Sequence, residues 1–257
     1  MDTAEVLALL QDVAAEVITP RFRALADADV SEKNPGDLVT VADHESEELI
    51  TEALQAAYPD ALILGEEAMA ADPSLIERFA EAEHAFTVDP VDGTKNFVNG
   101  SPDHAVMVGE VLRGETVRGW IWQPQHEAAY VAERGGGATL NGEPLRVADP
   151  GAAPYRTARR QWVGRDLPGL GTLELTWACC GVDYPRLIAG DAHVLLYSRS
   201  MPWDHIPGAL ILTEAGGTIG RHDGVPLDPQ RLEGGLVAAP DRATYDAVVA
   251  SLRSFGG

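Results

Sequence analysis

Fourteen consecutive residues, Val88-Asp89-Pro90-Val91-Asp92-Gly93-Thr94-Lys95-Asn96-Phe97-Val98-Asn99-Gly100-Ser101, hold the side chains best suited to bind a cation at a turn. The apolar residues 85–88 read as a buried strand. Pro90 and Gly93 rule out a smooth continuation of strand or helix beyond it. Asp89 and Asp92 therefore belong on a sharp turn at a strand end, where proteins commonly place chemistry. Two carboxylates this close repel unless positive charge lies between them, and a divalent cation is the simplest candidate. An acidic surface turn uses the same residues, so the rest of the chain has to choose between the two readings.

The chain has 257 residues, enough for one large domain or two closely joined lobes, and with 45% hydrophobic residues it can bury a sizeable core. Acidic residues number 40 against 19 basic ones, a formal net charge of -21. Such a surface repels nucleic-acid phosphates and anionic membranes, so neither is an expected partner. Cys179 and Cys180 are adjacent and form no C-x-x-C spacing, which argues against a disulfide framework and a structural zinc site. No basic segment precedes an apolar run at the N-terminus, and no stretch approaches the length of a membrane span. The expectation is a cytoplasmic protein.

The elements that must position the acids follow from periodicity. Residues 3 to about 24 carry Val6, Leu9, Leu10, Val13, Val17 and Phe22 at helical spacing, with Pro20 near the end. A turn at 33–37 leads to Thr40 and Asp43, a capping-box spacing that opens a helix to about residue 58. Its expected inward positions are Leu49, Ile50, Ala53 and Leu54, and its solvated face is Glu45, Glu47, Glu48 and Glu52. Asp43 fits either a helix-start acid or a site residue. Residues 61–64 form a strand that ends in Gly65-Glu66-Glu67, and a helix follows over 72–83. From His104 the pattern becomes an antiparallel meander, with Trp120 and Trp122 on one face as a core pair. Gly135-Gly136-Gly137 lacks a phosphate-binding frame and reads as a turn, as does Asn141-Gly142. Residues 148–172 mark the passage from an N-terminal lobe, 1–147, to a C-terminal lobe, 148–257. A helix is expected over about 175–189 and a strand over 193–197. The next helix starts near Pro202, with Asp204 at its N-cap or first turn and Pro207 in its opening turn. It ends at Gly216-Gly217, and short strands and a last helix over 241–254 complete the chain.

Glu66, Asp89, Asp92 and Asp204 thus stand at strand ends or helix starts. If the strands are neighbours, these four carboxylates converge without a Cys/His set, which favours hard cations with oxygen ligands; two magnesium ions suit them. Such a site does phosphoryl chemistry by acidifying water at one ion and steadying the leaving oxygen at the other. The turn Asp92-Gly93-Thr94 could offer backbone N–H groups to a phosphate.

Asp89-Pro90-Val91-Asp92-Gly93-Thr94 resembles the D-P-[IVL]-D-G-T signature of the inositol monophosphatase family. Trp203-Asp204 followed by Glu214-Ala215-Gly216-Gly217 resembles its second signature. Gly65-Glu66-Glu67 and Asp37-Leu38-Val39-Thr40 with Asp43 match two further segments, in the family's order from about residue 30 to 240. The resemblance implies an α+β fold, a layered α-β-α-β-α sandwich of the inositol monophosphatase / fructose-1,6-bisphosphatase type, commonly a homodimer. It implies lithium-sensitive hydrolysis of a small phosphorylated metabolite with two or three Mg2+ ions. Glu66, Asp89 and the Val91 carbonyl would hold the first, activating ion, and Asp89, Asp92 and Asp204 the second. Glu66 would also reach a third ion through waters. Thr94 and Asp43 would orient or deprotonate the attacking water, and the Gly93 and Thr94 N–H groups would grip the phosphate.

Substrate selection departs from the family pattern. Inositol-selective members carry an acid seven positions before the second-signature aspartate, where this chain has Tyr197. Ala178-Cys179-Cys180 replaces a small-residue stretch that touches the sugar, so Cys180 joins Tyr197 as a selecting residue. Arg199 is a third, meeting either a second anionic group or solvent. Asn96-Phe97 after Lys95 leans toward the inositol branch and away from relatives acting on 3'-phosphoadenosine 5'-phosphate. Histidinol phosphate and fructose 1,6-bisphosphate are further candidate substrates within the family. Outside enzymes, the same scaffold could serve a non-catalytic metal-binding regulator, and the intact Glu66, Asp89, Asp92, Thr94 and Asp204 count against that role.

Overall fold

The computed structural model describes residues 1–34, 37–231 and 233–255. Strands β1 (Val30–Asn34) and β2 (Asp37–Thr40) form a small antiparallel pair. Strands β3 (Leu62–Gly65), β4 (His84–Asp92), β5 (Ala105–Leu112), β6 (Glu115–Gln123), β7 (Ala128–Glu133), β8 (Gly137–Leu140) and β9 (Glu143–Leu145) make a seven-stranded sheet in that order. Within it β3 and β4 are parallel and every later pair is antiparallel. The remaining strands are β10 (Tyr155–Thr157), β11 (Asp166–Leu167), β12 (Gly171–Leu175), β13 (Val194–Tyr197), β14 (Thr218–Arg221) and β15 (Leu236–Ala239). They form a six-stranded mixed sheet in the order β11-β12-β10-β13-β15-β14.

The helices are α1 (Thr3–Val13), α2 (Val41–Ala57), α3 (Glu66–Ala71), α4 (Leu75–Glu81), α5 (Thr94–Val98), α6 (Cys180–Ile188), α7 (Pro202–Glu214) and α8 (Arg242–Phe255). Strand alternation sets the layering. On β5, Val106 and Val108 pack with Val6, Leu10, Ile50 and Leu54 of α1 and α2. Ala105 and Met107 point the other way, toward Tyr184, Leu187, Leu210 and Leu212 of α6 and α7. On β13, Leu195 and Tyr197 join that same middle layer, while Val194 and Leu196 face Tyr245, Val248 and Val249 of α8. The order is therefore helix, sheet, helix, sheet, helix, as the fold expectation requires.

Helix α7 lies against the seven-stranded sheet because two paired glycines, Gly109 and Gly119, leave room for it. A Cβ on Gly109 would stand 2.6 Å from Ile206 Cγ2, and one on Gly119 would stand 3.0 Å from the Pro207 carbonyl oxygen. This close approach brings Asp204, in the first turn of α7, over the edge of β4 and β5.

Several local expectations are corrected. The first helix changes pitch, running as α-helix to Val13, as a π-helical turn over Ala14–Ile18 and as a 3-10 turn over Thr19–Arg21 around Pro20. Within α2, Leu49 is 36% exposed while Glu47 is only 6% exposed, the reverse of the expected faces. Residues 66–71 are helical, and the helix expected over 72–83 is confined to Leu75–Glu81. Leu175 ends strand β12, and the following helix starts at Cys180 rather than near 175. Pro207 sits in the second turn of α7, not its opening turn. Trp120 is fully buried and its indole N–H donates to the Thr3 carbonyl, so the tryptophan pair belongs to the core. The triglycine turn does cradle an anion, an internal one: the Gly135 and Gly137 N–H groups donate to the Glu214 carboxylate at 2.8 and 2.9 Å.

Candidate metal centre

The convergence of the acids follows from register. Gly65, the last residue of β3, stands opposite Val88 on the parallel β4, so Glu66, where the chain leaves β3, comes beside Asp89, which is still within β4. Strand β4 continues through Pro90 to Asp92, further than the sequence suggests. It does so with an irregularity: Asp89 pairs with Met107 and Asp92 with Ala105, so Pro90 and Val91 on β4 oppose the single Val106 on β5. The extra residue is a β-bulge, which re-aims side chains at a strand end. The chain then turns through Gly93 at φ +80° into α5. That backbone is strained for any residue with a Cβ.

Carboxylate oxygens of Asp89, Asp92 and Asp204 all lie within 4.8 Å of one another. Asp89 Oδ1 is buried and has no hydrogen-bond partner. Asp92 is held by the start of α6: the Gly181 N–H donates to Oδ2, and the Cys179 thiol lies 3.0 Å from the same oxygen. The Gly93 N–H also bonds the Asp92 carboxylate. Burial raises the pKa of Asp89, Asp92 and Asp204. Neighbouring carboxylates push Asp89 and Asp204 further up, while the N–H and thiol donors partly offset the rise at Asp92. An orphaned buried oxygen, mutual repulsion and an all-oxygen donor set are the properties expected of a hard-cation site.

Glu66 stands beside this group with its Oε1 2.7 Å from Lys33 Nζ, and the same ammonium lies 2.6 Å from Glu67 Oε1. Burial raises Glu66 to about 7 against the lowering effect of Lys33. Burial alone would lower Lys33, but the two carboxylates outweigh it and hold the ammonium charged. A cation is thus already drawn to the Glu66 side of the cluster.

Asp43 and Thr94 meet at the edge of the group. Thr94 Oγ1 lies 3.1 Å from both Asp43 Oδ1 and the Val91 carbonyl oxygen. Asp43 Oδ2 accepts from the Thr40 N–H at 2.9 Å and the Thr40 hydroxyl at 2.6 Å, so the capping box is present as the spacing predicts. Asp43 is therefore both a helix-start acid and a neighbour of the cluster. Burial lifts its pKa to about 6 despite the Thr40 bonds.

The cluster opens onto a cavity of about 300 Å³ whose walls include Asp92, Thr176, Cys180, Asp183, Tyr197, Arg199 and Asp204. All three residues singled out for substrate selection, Cys180, Tyr197 and Arg199, line it. Tyr197 donates its hydroxyl to Asp183 Oδ2 at 3.2 Å, and Asp183 Oδ1 accepts from the Trp177 N–H. Burial pushes Asp183 up to about 8.

Three participants, Glu47, Lys33 and Asp183, escape a reading of the sequence. Glu47 accepts from the Glu67 and Ala68 N–H groups at 2.8 Å each, fixing the helix that begins with Glu66. Its spacing from Asp43, Ile50 and Leu54 places it on their helical face, a signal the sequence does contain. Lys33 and Asp183 carry no comparable local signal, whereas Glu67 stands with Glu66 at the strand end that the sequence marks.

The fold and the cluster together place a group of carboxylates, suited in chemistry to a hard cation, beside the ends of two parallel strands in a five-layer sandwich. The family model described as "Inositol monophosphatase family" matches residues 2–256, and the chain belongs to that family. It is 30% identical over 258 residues to the inositol-1-monophosphatase of Mesorhizobium japonicum, covering 93% of this chain and 92% of that one. It is 29% identical over 231 residues to the fructose-1,6-bisphosphatase/inositol-1-monophosphatase of Aquifex aeolicus, covering 84% and 83%. The solved Thermotoga maritima IMPase superposes with a TM-score of 0.81 at 23% identity, over 99% of this chain and 98% of that one. No helix among the described residues is long and apolar enough to cross a membrane. Family and cluster support magnesium-dependent phosphomonoesterase chemistry on small phosphorylated metabolites.

Proposed function

We propose that the protein hydrolyses an inositol monophosphate-like ester, with the phosphate at the carboxylate cluster and the alcohol in the adjoining cavity. The observation that carries this reading is the Asp89-Asp92-Asp204 group opening onto the cavity, with the Thr94-Asp43 pair at its edge. Magnesium ions held by Glu66, Asp89, the Val91 carbonyl, Asp92 and Asp204 would supply charge that acidifies water and neutralises phosphate. The Thr94 hydroxyl orients the attacking water, and Asp43 accepts the proton that Thr94 passes on. The Gly93 and Thr94 N–H groups bind phosphate oxygens, and the Gly93 N–H exchanges its Asp92 contact for the ligand. Asp204, from lobe 148–257, closes the site that residues of lobe 1–147 begin.

A second reading shares the chemistry and changes the substrate. Arg199 is exposed at the cavity wall and could meet a second anionic group, as in a sugar bisphosphate. One relative's name pairs fructose-1,6-bisphosphatase with inositol-1-monophosphatase. The Tyr197-Asp183 pair, in place of a free acid, offers the alcohol a different donor and acceptor from those of inositol-selective members. On the strength of family membership we further propose that the protein is a cytoplasmic homodimer.

The test is a panel of inositol 1-phosphate, histidinol phosphate, fructose 1,6-bisphosphate and 3'-phosphoadenosine 5'-phosphate, assayed for phosphate release with magnesium, with and without lithium. Turnover should appear with at least one ester and fall at least about a thousandfold in Asp89→Asn, the effect of several kcal/mol of lost charge stabilisation. Failure to release phosphate from any ester at any magnesium concentration ends the enzyme reading.

A further inference from the structure

Cys180 opens α6 and faces the first turn of α7. Its sulfur, an Asp204 carboxylate oxygen and a His205 ring nitrogen all lie within 4.8 Å of one another. We propose that this trio is a second cation site, selective for a soft or borderline divalent ion such as Zn2+, and that filling it blocks the hard-cation cluster.

The donor set is the first argument. Thiolate, imidazole and carboxylate together suit tetrahedral zinc, whereas Mg2+ prefers oxygen donors alone. The two groups therefore differ in kind while sharing Asp204.

The second argument is the setting of His205. Its Nε2 lies 3.2 Å from the Arg199 carbonyl oxygen and its Nδ1 2.9 Å from the Tyr184 hydroxyl. With Nε2–H donating to the carbonyl, Nδ1 carries the lone pair and the Tyr184 hydroxyl donates to it. An N–H anchored on a carbonyl orients an imidazole for a metal and strengthens it as a ligand. An incoming ion takes the Nδ1 lone pair and releases the tyrosine hydroxyl. Helix geometry puts Tyr184 on the face of Cys180, four residues on, so its hydroxyl reaches His205 from behind the cavity wall that Cys180 and His205 share.

Room for a fourth ligand is the third argument. Cys180, Asp204 and His205 all line the cavity of about 300 Å³, so a water can complete the tetrahedron. Binding displaces the thiol proton to solvent, one per ion, and needs no oxidant or other reactant. The consequence is exclusion. Asp204 cannot serve both groups fully, and an ion at Cys180 stands where an alcohol leaving group would lie.

Cadmium is the probe, because a thiolate ligand gives it an ultraviolet charge-transfer band. The metal-free protein should show this band, saturating at one equivalent of Cd2+. Cys180→Ala should abolish it and Cys179→Ala should retain it. His205→Gln should weaken Cd2+ binding at least about tenfold, and added Mg2+ should raise the apparent Kd of the wild type. Absence of the band in the wild type overturns the proposal, as does its survival in Cys180→Ala. An unchanged affinity in a folded His205→Gln reduces the site to a lone thiol and overturns it too. The Cys180→Ala comparison decides the matter if His205→Gln does not fold. The readout does not depend on turnover, so it stands or falls apart from the phosphatase reading.

Discussion

The Thr94 hydroxyl lies 3.1 Å from Asp43 Oδ1, joining the first turn of α2 to the turn that follows β4. Thr40 holds Asp43 from behind with two hydrogen bonds, so the carboxylate is fixed before any substrate arrives. A pair this preorganised at the cluster's edge suits proton transfer from water. Thr94→Ala and Asp43→Asn should each lower kcat by about a hundredfold to ten-thousandfold, the usual worth of a general base. KM should move far less, because neither group is assigned to the alcohol. Steady-state kinetics on the best ester of the panel check this, with thermal melts to show that Thr94→Ala remains folded. An unchanged kcat in either variant removes the pair from the chemistry.

Glu47 acts one layer behind the cluster. Both its oxygens accept N–H groups from the first turn of α3, whose first residue is Glu66. Burial raises its pKa while the two N–H bonds lower it. Glu47→Ala leaves two N–H groups unpaired in a buried place and should cost about 3 kcal/mol of stability. It should also weaken magnesium binding, because the start of α3 loses its tether. Urea denaturation and a magnesium titration of activity measure the two effects. A variant as stable as the wild type would falsify the tether.

These two cases mark how far the sequence carries. The Thr40-Asp43 capping box and the strand before Glu66 are readable because local spacing dictates them. The convergence of Glu66 with Asp89 needs the parallel register of β3 on β4, which no local pattern fixes. Glu47 reads as solvated because acids on a helix usually face water; only the arrival of α3 makes burial favourable there. Leu175 reads as helical through its apolar neighbours, although strand pairing with β10 claims it instead. Lys33 reaches Glu66 and Glu67 across more than thirty residues, through a hairpin whose placement is tertiary.

His104 gives the protein a pH dependence of known sign. It is fully buried, tilted against the ring of Phe22 and edge-on to that of Phe97. Its Nδ1 lies 3.2 Å from the Ser101 carbonyl oxygen, while Nε2 has no partner. A proton on Nε2 would be buried without an acceptor, and burial lowers the pKa from 6.5 to about 4. Below pH 6.5 the unfolded chain takes up a proton that the folded one refuses. Stability from this residue is thus full above 6.5 and falls as the pH drops toward 4. Between pH 7 and 4.5 the loss should reach about 2–3 kcal/mol. Asp183, raised to about 8, works in the opposite direction, and His205, lowered to about 4, works in the same one. The informative quantity is therefore the difference from His104→Phe, which should lose about 2–3 kcal/mol less than the wild type over that range. Parallel urea curves for both proteins at the two pH values would remove His104 as the cause.

Arg199 separates the two substrate readings. It lies at the wall of the cavity that Tyr197 and Asp183 also line, on the connection between β13 and α7, just before the first turn of α7 that carries Asp204. Its side chain is exposed, so removing it should not disturb the cluster. If the substrate carries a second anionic group, Arg199→Ala should lower kcat/KM for a bisphosphate by about tenfold or more, the worth of one charge-assisted contact. The value for a monophosphate of an uncharged alcohol should stay within about twofold, since no distal charge is lost. Raising the salt concentration should shrink the wild-type preference for the bisphosphate and leave Arg199→Ala nearly unaffected, because a solvent-facing contact is screened. Equal losses on both ester types would mean that Arg199 supports the wall of the cavity rather than reading charge. Equal retention would return the residue to solvent and favour the inositol-like reading.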